Sequence, residues 1–170
     1  RASAYGNLRI MCPMIISVAE VRECKEILEE CRQELLKEGH KIADNIQIGI
    51  MVETPAAVFC ADELAEEVDF FSLGTNDLTQ YTCALDRQNA KLEPFSDTHH
   101  PAVLRAIKMT IEAGHRHGTW VGICGELGAD TTLTEEFIKY GVDELSVNPK
   151  SVLPLIKAIR SIDRSKLLAK

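Results

Sequence analysis

The sequence lacks the features that would place it in several common functional classes. No apolar run approaches the roughly 18 residues that a membrane-spanning helix requires, and no signal peptide is recognisable. No cluster of basic residues offsets the formal net charge of -7, which argues against a nucleic-acid-binding surface. We therefore expect neither membrane insertion nor nucleic-acid binding.

Closely spaced cysteine pairs and glycine-rich phosphate loops are also missing. The six cysteines show no CxxC spacing, so we expect reduced thiols in a cytoplasmic protein rather than a disulfide framework. No G-x-G-x-x-G or Walker loop follows the first apolar run, which weakens a nucleotide-binding interpretation. With 45% hydrophobic and 26% charged residues, the 170 residues have the composition of one globular domain. The sequence opens at Arg1 without a methionine, and we expect it to be part of a longer protein.

What the sequence does contain is a regular alternation of strand-like and helix-like segments. The strand-like apolar runs cover residues 9–14, 47–53, 70–73, 120–124 and 144–147. A helix-like segment follows each run, and this alternation predicts an α/β fold with a parallel sheet and right-handed crossovers. Five units are too few to close an eight-stranded barrel. They suit an open doubly wound sheet or the second half of a barrel, and we favour the barrel half.

Several of the predicted helices carry start signals. Ser17 and Glu20 form an S-x-x-E capping box. Thr54-Pro55 has a capping residue followed by proline at the first helical position, and predicts a helix to about residue 68. Pro101 starts another helix in the same way. The helix after Ser17 has an inner stripe at three- and four-residue spacing: Val21, Cys24, Leu28, Cys31 and Leu35.

The most informative stretch is residues 69–87, DFFSLGTNDLTQYTCALDR. Its apolar run stops at Gly74, and Thr75, Asn76 and Asp77 follow at once. In α/β enzymes, ligands are presented at the carboxyl ends of strands, where this pattern places an amide and a carboxylate. An aspartate that caps a helix is the simpler explanation for this pair taken alone.

Other polar residues stand at the ends of neighbouring runs. Glu53 ends the second run and Cys124 ends the fourth, and parallel strands would bring both to the same edge as Asp77. An uncompensated carboxylate after an apolar strand is costly to bury, which favours a cation beside Glu53. Two carboxylates suit Mg²⁺, which takes one or two protein carboxylates. A paired acid and base is the alternative.

Arg87 and Cys124 add two further functional groups. Arg87 offers a planar, charged fork for a phosphate or a carboxylate, with a surface salt bridge to Asp86 or another nearby acid as the alternative. Cys124 lies between glycines in GICGE, where a thiol can act as a general acid towards an enolate. A buried structural thiol is the alternative. No catalytic role is assigned to His99, His100, His115 or His117.

Four motifs in order resemble the phosphoenolpyruvate-utilising enzymes: IMCPMI, IGIMVETPAA, DFFSLGTNDLTQYT followed by Arg87, and VGICGEL. Within this family, QYTCALDR and HPAVLRAIK look closest to the C-terminal half of enzyme I, the phosphoenolpyruvate–protein phosphotransferases of bacterial sugar uptake. The resemblance runs from residue 1 to about residue 162. Pyruvate phosphate dikinase, phosphoenolpyruvate synthase and metal-dependent pyruvate-enolate aldolases are the alternative enzymes.

The resemblance implies a (β/α)₈ TIM barrel of which this chain holds about strands four to eight. It implies that Glu53 and Asp77 hold Mg²⁺. It also implies that Asn76, Asp77 and Arg87 bind phosphoenolpyruvate, and that Cys124 protonates the enolate to give pyruvate.

The resemblance further implies partners outside this sequence. In the family, a histidine on a separate N-terminal domain accepts the phosphoryl group and passes it to the carrier protein HPr. That histidine, the HPr-binding domain and further phosphate-binding arginines match nothing in residues 1–170, so we expect a partial domain that does not transfer phosphate by itself. Enzyme I dimerises through this domain, and we expect a homodimer. A non-catalytic association module is the remaining alternative.

Overall fold

Five strands form one parallel sheet in chain order. The structure is a computed structural model that describes residues 1–167. The strands are β1 (Arg9–Cys12), β2 (Gln47–Val52), β3 (Phe70–Gly74), β4 (Trp120–Cys124) and β5 (Glu144–Leu145). Their order is β1-β2-β3-β4-β5, and all four neighbouring pairs are parallel. A doubly wound sheet reverses its strand order at a switch point, so the sequential order confirms the predicted part of a barrel.

Helices follow the strands as the alternation predicted. They are α1 (Val18–Lys37), α2 (Pro55–Phe59), α3 (Ala61–Ala65), α4 (Thr75–Cys83), α5 (Pro101–Arg116), α6 (Thr134–Tyr140), α7 (Pro149–Ser161) and α8 (Arg164–Leu167). The predicted capping box is present, with Ser17 and Glu20 each accepting a hydrogen bond from the other's backbone N–H. None of the helices within residues 1–167 is long and apolar enough to cross a membrane.

Four local predictions differ from the structure. The helix expected from Thr54 to about residue 68 is interrupted at Cys60, which divides it into α2 and α3. Strand β1 ends two residues early, at Cys12, where Pro13 has no N–H to donate and Met14 adopts a left-handed conformation with φ 54°. Strand β5 also ends two residues early, at Leu145. Cys31 is exposed rather than packed in the core. A cleft with a volume of about 490 Å³ lies between α1 and the first two strands, and Cys31 lines it.

The hydrophobic core lies between the sheet and its helices. Phe71 and Leu73 of β3 and Val121 and Ile123 of β4 are fully buried, and they belong to one cluster that includes apolar residues of α5. Helix α5 approaches closely at Gly114, where a Cβ would lie 2.5 Å from Val121 Cγ2. The alternate residues of each strand therefore point to the opposite face of the sheet.

That opposite face, which we call the inner face, corresponds to the interior of the barrel. At the amino-terminal end of this face, Phe70 stacks on Trp120, with ring centroids 4.8 Å apart. The Phe70 ring covers Gly49, where a Cβ would meet it at 2.5 Å. Arg9 Cζ lies 4.8 Å from the centre of the Trp120 ring. These contacts fill the amino-terminal end of the inner face and leave its carboxyl end to the polar residues described next.

Candidate active site

The polar residues predicted from strand ends do lie along one edge of the sheet. Glu53 follows β2, Asn76 and Asp77 open α4 directly after β3, and Cys124 is the last residue of β4. The register pairs Val52 with Leu73 and Gly74 with Cys124, so these three strands end at the same level. The parallel sheet therefore brings the carboxyl ends of β2, β3 and β4 together.

Glu53 is a buried carboxylate. Its exposed fraction is 3%, and its Oε1 accepts a hydrogen bond of 2.8 Å from the Met14 N–H. Burial raises the pKa of Glu53, the Met14 hydrogen bond opposes this rise, and the charge of Asp77 adds to it. Among the side chains that the structure describes, no lysine, arginine or histidine forms an ion pair with Glu53, although the nearby charge of Arg87 also acts to lower its pKa. A buried carboxylate in this position suits a bound cation.

Gly74 allows Glu53 to occupy this position. A Cβ on Gly74 would lie 2.6 Å from Glu53 Oε2, 2.9 Å from Glu53 Cβ and 2.9 Å from Met51 Sδ. Only a residue without a side chain leaves room for the carboxylate against the end of β3. The glycine that ends the apolar run in the sequence therefore has a steric role in the site.

Asn76 links the start of α4 to the loop after β4. Its Oδ1 accepts a hydrogen bond of 3.1 Å from the Glu126 N–H. The two side-chain N–H groups of Asn76 therefore point away from the Glu126 N–H. Beside it, the Thr75 hydroxyl donates to the carbonyl oxygen of Cys124 at 2.9 Å. Gly125, at φ 94°, makes this close approach possible, since a Cβ there would lie 2.6 Å from Thr75 Oγ1. The loop that carries Cys124 is thus fixed to α4.

Arg87 lies close to Asp77. Its Nη2 is 3.6 Å from Asp77 Oδ1, and about half of the Arg87 side chain is exposed. Ala84, at φ 53°, ends α4 and turns the chain, and the Arg87 N–H donates to Gln80 Oε1 at 3.1 Å. The structure thus pairs Arg87 with a nearby acid, Asp77, rather than with Asp86, as the alternative interpretation allowed. Binding of a phosphate or a carboxylate by Arg87 stays a prediction. A cleft with a volume of about 410 Å³ lies beside this pair. It is lined by Asn76, Arg87 and further residues of α4, of the segment after α4, and Glu126.

The Cys124 thiol is held from two sides. The Ser72 hydroxyl donates to Cys124 Sγ at 3.3 Å, and the thiol lies 3.3 Å from the carbonyl oxygen of Leu73, to which it donates. Cys124 is half-buried and forms no disulfide. A reduced thiol that is partly exposed can take part in proton transfer.

The histidines lie outside this arrangement. His99 contacts Asp130, His115 contacts Asp143, and His117 contacts Asp62. His100 caps α5 by accepting a hydrogen bond from the Ala102 N–H. The contacts of His99, His115 and His117 join segments at the surface, and that of His100 lies within the start of α5.

Sequence reasoning missed some residues that shape the site. Met14 supplies the N–H donor to Glu53, and no sequence signal marks its left-handed conformation. Ser72 could have been found, because it is a polar residue in an apolar strand, two positions before Gly74 and hence on the same face.

Glu53 and Asp77 offer a small set of oxygen donors for Mg²⁺. Within residues 1–167, no group of three or more histidine, cysteine, aspartate or glutamate residues is arranged to enclose a metal ion. Glu53 and Asp77 alone would leave most coordination positions open. Mg²⁺ is commonly bound by one or two carboxylates, with water and substrate oxygens at the other positions, so the residues fit this ion.

Curated relatives match nearly the whole chain. A protein named phosphoenolpyruvate-protein phosphotransferase from Haemophilus influenzae is 50% identical over 96% of this chain. Proteins of the same name from Listeria monocytogenes and Bacillus subtilis are 44% and 46% identical over 99% and 96% of the chain. The chain spans 28% to 29% of the length of these three relatives.

Solved structures share the fold at low identity. A pyruvate kinase from Cryptosporidium parvum superposes with a TM-score of 0.68 at 16% identity, over 97% of this chain and 34% of the other. A citrate lyase from Burkholderia xenovorans superposes with a TM-score of 0.66 at 23% identity, over 95% of this chain and 53% of the other. These likenesses support the partial barrel and concern the fold alone.

A family-wide comparison agrees with the motifs and the fold. The model of the family described as "PEP-utilising enzyme, PEP-binding domain" matches residues 1–164, which is nearly all of the chain. Together with the relatives, this match confirms the resemblance read from the four motifs. The chain belongs to the phosphoenolpyruvate-binding domain family of the PEP-utilising enzymes.

Proposed function

We propose that this chain is the phosphoenolpyruvate-binding part of a phosphoenolpyruvate–protein phosphotransferase. The observation that carries the proposal is the position of Glu53, of Asn76 with Asp77, and of Cys124 at the carboxyl ends of three adjacent parallel strands. The named relatives support this choice over the dikinase, the synthase and the aldolases.

Glu53 and Asp77 are proposed to hold Mg²⁺. The buried Glu53 carboxylate gains a compensating charge in this way, and its hydrogen bond to Met14 fixes its orientation. When bound, the ion would neutralise charge on the oxygens of the phosphoryl group.

Asn76 and Arg87 are proposed to bind the phosphoryl group. Because Glu126 already donates to Asn76 Oδ1, the side-chain amide of Asn76 can offer its N–H donors to an anion. Arg87 offers several donors in a plane, and its contact with Asp77 at 3.6 Å is long enough to be rearranged by a ligand. Phosphoryl transfer needs positioning and charge neutralisation above all, and these groups supply both.

Cys124 is proposed to act as the proton donor to the three-carbon product. Loss of the phosphoryl group leaves the enolate of pyruvate, whose C3 carbon carries two hydrogens. The Cys124 thiol gives its proton to C3, a C–H bond forms as the S–H bond breaks, and the carbonyl of pyruvate forms. The sulfur is left as a thiolate, which regains a proton from water before the next cycle.

The remaining steps are proposed for the whole protein. As the resemblance to enzyme I implies, the phosphoryl group is proposed to pass to a histidine on another domain and then to HPr, in the cytoplasm, for sugar uptake. We expect no transfer of labelled phosphate from phosphoenolpyruvate to HPr when this chain of 170 residues is the only enzyme present. Measurable transfer would contradict this part of the proposal.

Association into a homodimer is the second part of the proposal. Helix α7 exposes several apolar side chains: Val152, Leu153, Ile156 and Ile159. Within residues 1–167, one edge of β1 has no partner strand, and unpaired edges promote association. Light scattering should report a dimer or a larger species, and a monomer mass would contradict this expectation.

The enolate chemistry can be tested without a phosphoryl acceptor. If the site binds pyruvate as an enolate, the chain should exchange the methyl hydrogens of pyruvate for deuterium in D₂O containing Mg²⁺, as followed by proton NMR. Cys124→Ser should lower the exchange rate by about 100-fold or more, whereas Cys60→Ser, at the junction of α2 and α3, should leave it unchanged. Equal exchange in Cys124→Ser would exclude this role for Cys124.

A further inference from the structure

Ser72 is the polar side chain of the inner face that lies nearest to the Cys124 thiol. It is the third residue of β3, and the strand register places it opposite Gly122, two residues before Cys124. Ser72 and Cys124 lie on the same face of the sheet, because alternate residues of a strand share a face and Ser72 pairs with Gly122. The Ser72 Oγ donates to Cys124 Sγ at 3.3 Å.

We infer that Ser72 is a positioning residue for proton donation by Cys124. The inference rests on the proposed function and adds to it a residue that holds the sulfur before and after the proton leaves.

Of the two hydrogen bonds at the Cys124 thiol, one must break during proton transfer and the other can remain. The resting S–H donates to the carbonyl oxygen of Leu73 at 3.3 Å, and this contact breaks when the proton turns towards the substrate carbon. The hydrogen bond from Ser72 ends on the sulfur itself and does not use the transferred proton. Ser72 can therefore hold the sulfur in place while the S–H changes direction.

The same hydrogen bond becomes stronger in the product state. Proton donation leaves a thiolate, and a donor to a charged acceptor forms a stronger hydrogen bond than a donor to a neutral one. The Leu73 carbonyl oxygen has no proton to offer to the thiolate. Stabilisation of the anion by Ser72 lowers the barrier to proton donation, since the thiolate forms in that step.

The first test measures the reactivity of the Cys124 sulfur directly. Iodoacetamide reacts with thiolates, so its rate at Cys124, resolved from the other cysteines by peptide mass spectrometry, reports how well the anion is stabilised. Ser72→Ala should lower this rate about tenfold. Because Thr and Val have nearly the same shape, Ser72→Thr should react faster than Ser72→Val by a similar factor, which separates the hydroxyl from packing. Ser161→Ala, on exposed α7, is the matched control, and Cys124 in this variant should react at the rate of the unsubstituted chain.

The second test follows the deuterium exchange of pyruvate in the same variants. Ser72→Ala and Ser72→Val should slow exchange, and Ser72→Thr should restore most of it. Equal alkylation rates in Ser72→Ala and the original chain, or in the Thr and Val variants, would overturn the inference. Absence of exchange in the unsubstituted chain would instead count against the proposed function, while the alkylation rates would still decide whether Ser72 stabilises the sulfur.

Discussion

Gly74 and Glu53 are in direct steric contact across the ends of β3 and β2. A Cβ on residue 74 would lie 2.6 Å from the Glu53 carboxylate oxygen Oε2. The buried carboxylate is therefore placed by the absence of a side chain on the neighbouring strand. This relationship connects the glycine of the LGTND motif to the proposed metal site.

Gly74→Ala should damage both stability and metal binding. The added methyl must displace Glu53 or Met51, each of which would lie within 2.9 Å of it. We expect a loss of about 1–3 kcal/mol in the free energy of unfolding, as for other overpacked sites. Affinity for Mn²⁺, used in place of Mg²⁺, should fall as well. Denaturant unfolding and a metal titration measure the two effects, and unchanged values would show that Glu53 does not depend on Gly74.

Arg87→Lys should separate substrate binding from metal binding. Lysine keeps the charge but loses the planar set of donors that recognises a phosphoryl group. We expect phosphoenolpyruvate to bind about tenfold more weakly, with Mn²⁺ binding alone nearly unchanged. Arg22→Lys is the control, because Arg22 pairs with Glu67 in a surface ion pair. Equal loss in both variants would argue against a specific role for Arg87.

Asn76→Asp tests the orientation of the amide. Aspartate can still accept the hydrogen bond from Glu126, so the loop should stay attached to α4. The change replaces two N–H donors with a negative oxygen that faces the phosphoryl group, and we expect phosphoenolpyruvate affinity to fall about tenfold or more. Unchanged affinity, measured by calorimetry, would show that the amide N–H groups of Asn76 do not contact the ligand.

Asp62 should contribute to stability in a pH-dependent way. Hydrogen bonds from Arg116, with His117 adding to the effect, hold the pKa of Asp62 below its usual value. A carboxylate with a lowered pKa in the folded state stabilises the protein above the unfolded value of about 3.9, and this contribution is lost as the pH falls through the folded value.

Asp62→Asn should therefore lower Tm slightly at about pH 7, and this difference should shrink as the pH falls below about 3.9 and through the lowered folded pKa of Asp62, where the carboxylate becomes protonated. Thermal scans across this range measure the difference. A difference in Tm that persisted unchanged in acid would show that the charge of Asp62 is not its cause.

The sequence predicted the carboxyl ends of β2, β3 and β4 well because their signals are local, whereas β1 and β5 end two residues early. Continuous apolar runs that end at Glu53, Gly74 and Cys124 fix where buried strands stop, and parallel pairing then brings those ends together. The break of the second helix at Cys60 was not predictable, because no proline or glycine marks it.

Contacts between distant segments were the part that sequence could not show. The Met14 N–H reaches Glu53 across 39 residues, and the Ser72 hydroxyl reaches Cys124 across 52 residues. Such contacts depend on strand register and on one left-handed residue. The exposure of Cys31 has a similar origin, since the helical stripe predicts a buried face but the cleft beside α1 leaves this residue open.

A Mn²⁺ titration of this chain with and without phosphoenolpyruvate, repeated with Asp77→Ala, tests the proposed site directly. We expect that Mn²⁺ binds, that phosphoenolpyruvate tightens its binding, and that Asp77→Ala abolishes both effects. Asp69→Ala, at the opposite end of β3, is the matched control and should keep both effects. No binding by the unsubstituted chain, or binding that survives Asp77→Ala unchanged, would contradict a metal-dependent phosphoenolpyruvate site at the ends of β2, β3 and β4.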